Sequence, residues 1–269
     1  MREAVRNALL NSNRKNGDVI TSLIEQFHYP RLGPGMMWEK IIEQLQHKDH
    51  HIHFSHKAVR LEHKNDLISR VVIQTVNGEQ DIHPEQCIST MPLSQLIQSL
   101  NPAPPAHILA AADRLNYRDF IAVNLIIEQE NMFPDNWIYI HDPDVQVGRI
   151  QNYKNWSPDM VPEAGKTVLG MEYFVFEGDD MWQQADESLI KFAAKELYQT
   201  GLIENTNKVK DGWVSRVQKT YPVYDADYRE TVDLLANYLD GFANLQTIGR
   251  NGQHRYNNMD HSMMTGFAA

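Results

Sequence analysis

Three features of the sequence predict an α+β fold in which an antiparallel sheet is packed with helices. β-Type runs recur at 68–76, 120–127, 137–140, 147–153 and 167–176, with turn signals such as Asn77-Gly78 and Asp142-Pro143-Asp144 between them. Helical periodicity appears separately, at Trp38, Ile41, Ile42 and Leu45 and at Leu189, Phe192, Ala193 and Leu197. Near the C-terminus an apolar run, Leu245 to Ile248, ends in Gly249-Arg250-Asn251-Gly252 and leads into a helix expected from Ser262 onward. Strand, glycines and helix start together form a place where free N–H groups and close backbone approach suit an anionic or electron-rich ligand.

The chain has 269 residues, a formal net charge of −10 and 42% hydrophobic residues. That length and composition describe a globular protein with a real core. The negative charge argues against general binding to nucleic acid or anionic membranes. No apolar run approaches the roughly 18 residues of a membrane-spanning helix. The first residues, Met1-Arg2-Glu3-Ala4-Val5-Arg6, lack an apolar signal core. A single cysteine, Cys87, excludes an internal disulfide and suits a reducing cytoplasm, and its setting in Gln86-Cys87-Ile88-Ser89-Thr90 reads as a short strand.

Taken in order, residues 1–26 read as helix, with Val19, Leu23 and Ile24 on one face. Tyr29-Pro30-Arg31-Leu32-Gly33-Pro34-Gly35 breaks it and feeds a second helix from about Met36. His47, His50, His51, His53, His56 and His63 follow, but their spacing fits no compact ligand frame, so a polar helix-to-strand connection is expected rather than a metal site. Ile52 and Phe54 alternate as strand, as do Ala58 to Leu61 and Ile68 to Val76, and Gln86 to Met91 forms a short strand ending at Pro92. Leu93 to Leu100 reads as a short helix, Asn101 to Pro105 as a rigid turn, and Ile108, Leu109, Ala112 and Leu115 as a helix face. The near-continuous run Phe120 to Ile127 predicts a strand buried on both faces. Asp186 reads as the N-cap of the next helix and Gly201 as its C-terminal glycine. Val214 to Gln218 reads as strand, and 228–240 as a helix with Val232, Leu235, Ala236 and Leu239 on one face.

The C-terminal run resembles the flavin-contacting motif of UDP-galactopyranose mutases, with Gly249, Arg250, Gly252, His254, Arg255, Tyr256, Met259 and Asp260 matching in order. Tyr221-Pro222-Val223-Tyr224-Asp225, one helix and one strand earlier, matches a second motif of such proteins. The Tyr29-Pro30 segment and Ser89-Thr90-Met91-Pro92-Leu93 resemble flavin amine oxidases and protoporphyrinogen oxidase. The resemblance implies FAD as cofactor and an α/β family architecture, of which this chain would hold the antiparallel substrate sheet and the C-terminal remainder of a Rossmann-type FAD-binding domain. It places Val59, Thr90, Pro92, Gly249, Arg250, Gly252, Met259, Asp260 and His261 at the cofactor, and Arg149, Tyr153, Tyr221, Tyr224, Arg255 and Tyr256, with Trp156, toward substrate. The helix start at Met259 would face the pyrimidine end of the flavin, with Arg250 adding positive charge.

A Rossmann site requires strand, G-x-G-x-x-G and helix, and this sequence contains none. The expectation is therefore a C-terminal portion whose dinucleotide-binding segment is supplied in cis or in trans, and which binds FAD weakly or not at all alone. Four regions are expected, none an independent folding unit: 1–50 helical, 51–100 the β-meander and return strand, 101–240 the substrate domain, and 241–269 the strand–loop–helix at the cofactor. Three functions compete: an FAD-dependent oxidoreductase of the amine oxidase or protoporphyrinogen oxidase type, a mutase-like enzyme acting on a sugar nucleotide, and a non-catalytic remnant or interaction subunit.

Overall fold

The computed structural model describes residues 27–48 and 50–269, so the helix expected over 1–26 lies outside the described residues. The first described helix, α1, spans Gly35–Gln46 and buries none of its residues. Its apolar spacing is real, yet Trp38 remains 40% exposed. The preceding segment rests on the edge of the large sheet: the Tyr29 ring stacks on Trp156 at 4.9 Å, and Ser157 Oγ donates to the Arg31 carbonyl at 2.6 Å.

Strands β1 (Lys57–Lys64), β2 (Leu67–Thr75) and β3 (Gly78–Ile82) form the meander that the Asn77-Gly78 turn announces. The expected strand at Ile52 and Phe54 is absent from the pairing, which begins at Lys57. After β4 (Cys87–Ser89) and helix α2 (Leu93–Gln98) comes β5, Leu100–Asn101, which pairs in parallel with β1. The sequence shows no sign of β5, because two residues carry no periodicity. With helix α3 (Ala106–Asp113) these elements enclose a first core around Leu61, Ile68, Leu96, Ile97, Ile108 and Ala112.

The second core lies under a five-stranded antiparallel sheet, in the order β10-β6-β9-β8-β7. Its members are β6 (Tyr117–Ile127), β7 (Trp137–Tyr139), β8 (Arg149–Asn152), β9 (Thr167–Val175) and β10 (Val209–Pro222). One face buries Ile121, Val123, Leu125, Met171 and Tyr173 against Leu189, Ala193 and Leu197 of helix α4, Asp186–Gln199. Asp186 is the first residue of that helix rather than its cap, and it accepts from Arg216 Nη1 at 2.6 Å. Gly201 adopts φ +75° just past the helix end, as a terminating glycine should. Glu196 is buried within the second core. Its carboxylate accepts from the amides of Gln146 (2.6 Å) and Val147 (3.1 Å) and from the Tyr173 hydroxyl (3.0 Å), which compensates its burial.

Two strand boundaries differ from the sequence expectation for physical reasons. β10 runs from Val209 to Pro222, far beyond 214–218, because β6 offers pairing partners beyond that stretch at both ends. β8 stops at Asn152, where the Asn152 Nδ2 donates to the Phe133 carbonyl at 3.1 Å and Tyr153–Trp156 form one helical turn. Helix α5 (Tyr228–Leu239) then leads to β11 (Leu245–Thr247), which pairs in parallel with β4. The final helix, α6, spans Met259–Ala268 and so begins three residues before Ser262, the expected start. Among the described residues no helix is long and apolar enough to cross a membrane.

Candidate functional site

The C-terminal turn is held by backbone packing that only glycine permits. β11 delivers Ile248, whose amide donates to the Ser89 carbonyl at 3.0 Å. Gly249 follows at φ +74°, and residues Gly249–Gly252 form one helical turn rather than an open loop. A Cβ on Gly252 would lie 2.9 Å from the Ser89 carbonyl oxygen and 3.5 Å from Thr90 Cα. Thr90 and the turn are thus in direct contact, and Pro92 caps α2 immediately beyond. Val59 lies on β1, in a different sheet from the turn.

Arg250 is a clamp. Its Nε and Nη2 donate to the Asn257 carbonyl at 3.0 and 2.7 Å, and Nη1 donates to the Thr220 carbonyl at 3.1 Å. The guanidinium also lies over Tyr256 (4.6 Å) and Tyr221 (5.3 Å), whose rings are 5.8 Å apart. Its hydrogen bonds go to neutral carbonyls, so its positive charge is retained at the site. We expect Arg250→Met to cost about 1–2 kcal/mol by leaving those carbonyls unsatisfied. Arg250→Lys should recover less than half of this, because a lysine cannot fork between two carbonyls. Urea denaturation of both variants measures it, and wild-type stability in the lysine variant would refute the guanidinium geometry.

Beyond the clamp the chain turns at His254, which has φ +46° and no exposed surface. Its ring is held edge-on by Tyr117 at 4.6 Å and flanked by Tyr228 at 5.8 Å. Burial lowers its pKa to about 4, outweighing the opposing pulls of the Val223 backbone and the Asp225 charge, so the imidazole is neutral. The Tyr228 hydroxyl donates to the His254 carbonyl at 2.9 Å, and the Tyr256 amide donates to the Tyr224 hydroxyl at 2.6 Å. The first intrahelical bond of α6 runs from the Ser262 amide to Asn258, so the amides of Met259, Asp260 and His261 stand before it as donors at a helix start.

Tyr256 faces the second part of the site, the open face of the large sheet. Cross-strand register puts Trp137, Tyr139, Arg149, Gln151, Gly170, Glu172, Phe174 and Asn124 on that face. Tyr221 packs on Phe174 at 5.7 Å, continuing the aromatic surface from the turn onto the sheet. Arg149 pairs through Nε with Glu172, and Gln151 Nε2 donates to the same carboxylate at 3.1 Å. The Gln151 carbonyl oxygen in turn accepts from Trp156 Nε1 at 2.9 Å. Trp156 lies nearly parallel to Trp137, at 5.4 Å and 6°. The Tyr153 hydroxyl is directed inward: it donates to Asn124 Oδ1 at 2.8 Å and occupies the space over Gly170. Burial, then the nearby Glu172 charge, pushes its pKa up to about 12.

The structure therefore brings Arg250, Tyr221 and Tyr256 together, with Arg149 further along the same strip. Arg255 points elsewhere. It lines a groove of about 1310 Å³ along α5, β11 and the end of α6, together with Tyr224, Arg229 and Gln246. Asp260 and His261 are exposed at the start of α6, 3.1 Å from each other. Glu172, Gln151, Trp137 and Phe174 also line this face and belong to none of the motifs that carry the resemblance. The alternation Gly170, Glu172, Phe174 was the available signal, since i and i+2 share a strand face. Among the histidines, His51, His53 and His56 stack at 6.2 and 5.0 Å, and no group among the described residues is arranged to hold a metal.

No model of a known protein family matches this sequence, and no curated protein matches it. Solved structures do. A reduced UDP-galactopyranose mutase superposes with a TM-score of 0.73 at 20% identity, over 88% of this chain and 50% of its own. A protein from Exiguobacterium sp. 255-15 named for protoporphyrinogen oxidase gives 0.61 at 16%, over 86% and 50%. An oxidoreductase from Methanosarcina mazei gives 0.60 at 11%, over 88% and 54%. The chain spans about half the length of these structures and shares the fold of the part it covers in proteins named as a mutase, a protoporphyrinogen oxidase and an oxidoreductase.

Proposed function

We propose that this chain supplies the substrate sheet and the C-terminal flavin-contacting turn of an FAD-dependent oxidoreductase. The observation that carries this reading is the junction at Gly249–Met259. There an arginine with no carboxylate partner among the described residues, a helix start and the aromatic surface of the large sheet converge. These groups suit the pyrimidine edge of an isoalloxazine, which is electron-rich and becomes anionic on reduction. When bound, FAD would supply the electron-transfer chemistry. Arg250 and the Met259, Asp260 and His261 amides would stabilise the reduced ring, while Tyr221 and Tyr256 would hold a small-molecule substrate against it.

The adenosine diphosphate half of the cofactor has no phosphate-cradling glycine loop here. That half would be held by a dinucleotide-binding unit supplied in cis or in trans. The β4–β11 pair supports this part of the proposal, because among the described residues it is a parallel sheet of two strands with Ile88 55% exposed. Parallel sheets ordinarily have more strands and both faces covered.

Titration with riboflavin and with FAD tests the reading. Both should bind with similar, weak affinity, since this chain contacts only the ring. Dithionite-reduced riboflavin should bind roughly tenfold more tightly than the oxidised form, as expected for one added negative charge near Arg250 and a helix start. Absence of saturable binding by reduced riboflavin would sink the proposal. A second reading, a mutase acting on a sugar nucleotide through reduced flavin, is supported by the superposition on UDP-galactopyranose mutase. Anaerobic incubation with UDP-galactose, reduced FAD and a completed flavin site separates the two, because only the mutase reading yields a ring-contracted isomer.

A further inference from the structure

We infer that Glu172 is the specificity-determining residue of the sheet-face site: by neutralising Arg149 it makes the middle of that face reject anionic groups, and leaves the anionic part of a ligand to the Arg250 end. The inference rests on the reading of this face as a substrate surface.

Glu172 is only 5% exposed, yet it carries a carboxylate on the face that looks outward from the core. It is sited to act on both Arg149 and Gln151. Arg149 Nε meets one carboxylate oxygen, and Gln151 Nε2 meets the other at 3.1 Å. A carboxylate only accepts, so it fixes which end of the Gln151 amide faces it. The amide oxygen is thereby turned to the donor-only Trp156 indole at 2.9 Å. One buried charge thus sets the Arg149 guanidinium, the Gln151 amide and the plane of the Trp156 ring. Although burial works against a charged guanidinium, the Glu172 carboxylate holds the Arg149 pKa above its ordinary value.

The electrostatic consequence differs along the strip. At Arg149 positive and negative charge cancel within hydrogen-bond distance, which leaves a neutral surface of donors and acceptors flanked by Tyr139 and Phe174. At Arg250 no carboxylate lies within ion-pair distance among the described residues, and the guanidinium meets carbonyl oxygens only. Arg118, cross-strand from Tyr221, is also without an ion pair among the described residues. It is drawn over the Phe176 ring at 4.1 Å, away from the Arg149 pair. A ligand lying along this face would therefore set its charge at the turn and neutral, hydrogen-bonding groups over Arg149 and Glu172.

Inorganic pyrophosphate is a suitable probe, because it reports charge without needing an aromatic body. Isothermal titration at low salt should show roughly tenfold tighter binding to Glu172→Gln than to wild type, since the isosteric amide unmasks one guanidinium. Weaker or unchanged binding in a folded Glu172→Gln protein overturns the inference, as does no detectable binding to either. A second variant, Arg149→Met with Glu172→Met, removes the pair without changing net charge and keeps the site filled. Its pyrophosphate affinity should stay within about twofold of wild type. A tenfold loss would mean that Arg149 reads the anion directly, and the inference falls. Riboflavin titration of the same samples keeps the two proposals apart: flavin binding can fail while the pyrophosphate pattern holds, and the reverse.

Discussion

Gly252→Ala should lower stability by about 2–3 kcal/mol, a large effect for a single methyl group. The added Cβ would sit 2.9 Å from the Ser89 carbonyl oxygen, and that oxygen already accepts the Ile248 amide at 3.0 Å. Neither backbone can give way alone. Moving Ser89 breaks the β4–β11 register, in which Thr247 pairs with Ser89, and moving the turn pulls Arg250 from the Asn257 and Thr220 carbonyls. For a chain of this size the loss corresponds to roughly 5–10 °C in melting temperature. Gly178 offers the control. A Cβ there meets nothing within 4 Å, so Gly178→Ala should stay within about 0.5 kcal/mol of wild type. Thermal melts of the two variants decide it, and equal melting temperatures would show that the turn can relax.

The second large effect is a loss of stability in acid that originates at His254. Burial holds the folded-state pKa at about 4, against an ordinary value of 6.5, and outweighs the opposing pulls of the Val223 backbone and the Asp225 charge. Above pH 6.5 the imidazole is neutral in both folded and unfolded chains, and the contribution is fully present. As pH falls below 6.5 the unfolded state takes up the proton first, so the folded state loses ground. The loss approaches about 3 kcal/mol near pH 4 and levels off below it, when both states are protonated. His254→Asn retains a residue that tolerates the left-handed backbone at φ +46° while removing the titrating ring. The variant will be less stable at pH 7 because the space between Tyr117 and Tyr228 is only partly filled. The telling quantity is the slope. Urea denaturation of wild type and variant between pH 7 and pH 4.5 should give curves that converge as pH falls, and parallel curves would assign the acid sensitivity to the carboxylates instead.

Acid would also act directly on the candidate site. His254 lies between Arg250 and Tyr256 in the chain, and its carbonyl accepts the Tyr228 hydroxyl. A charged imidazole forced out of the Tyr117–Tyr228 gap would carry with it the segment that stacks Tyr256 on Tyr221. Loss of the site and loss of stability should therefore share one pH midpoint.

Much of this architecture was legible from local pattern. Helix α4 and helix α5 follow from their apolar spacing, and the meander follows from Asn77-Gly78. The strand–glycine–helix order at the C-terminus was also readable, because close backbone approach has few solutions other than glycine. The resemblance to UDP-galactopyranose mutases that Gly249 to Asp260 carry agrees with the fold now seen. Boundaries were less legible where tertiary pairing overrides local preference. β10 extends through polar residues because β6 offers hydrogen-bonding partners along it, from Val209 opposite Ile127 to Pro222 opposite Tyr117.

Local sequence dictates which stretches are amphipathic, where the chain must turn, and that a strand ends in a glycine-arginine turn at the start of a helix. These are properties of neighbours along the chain, set by side-chain period and by backbone sterics. What the polar residues of the site do depends on contacts between distant parts of the chain. Glu172 and Arg149 are 23 positions apart and meet because β8 and β9 pair in one register. Arg250 finds Thr220 across 30 positions, and Arg255, its near neighbour in the motif, turns into the groove along α5 instead. Charge pairing, burial and the direction of a side chain depend on which distant strand lies alongside, and a one-residue change of register would send each of them to the opposite face.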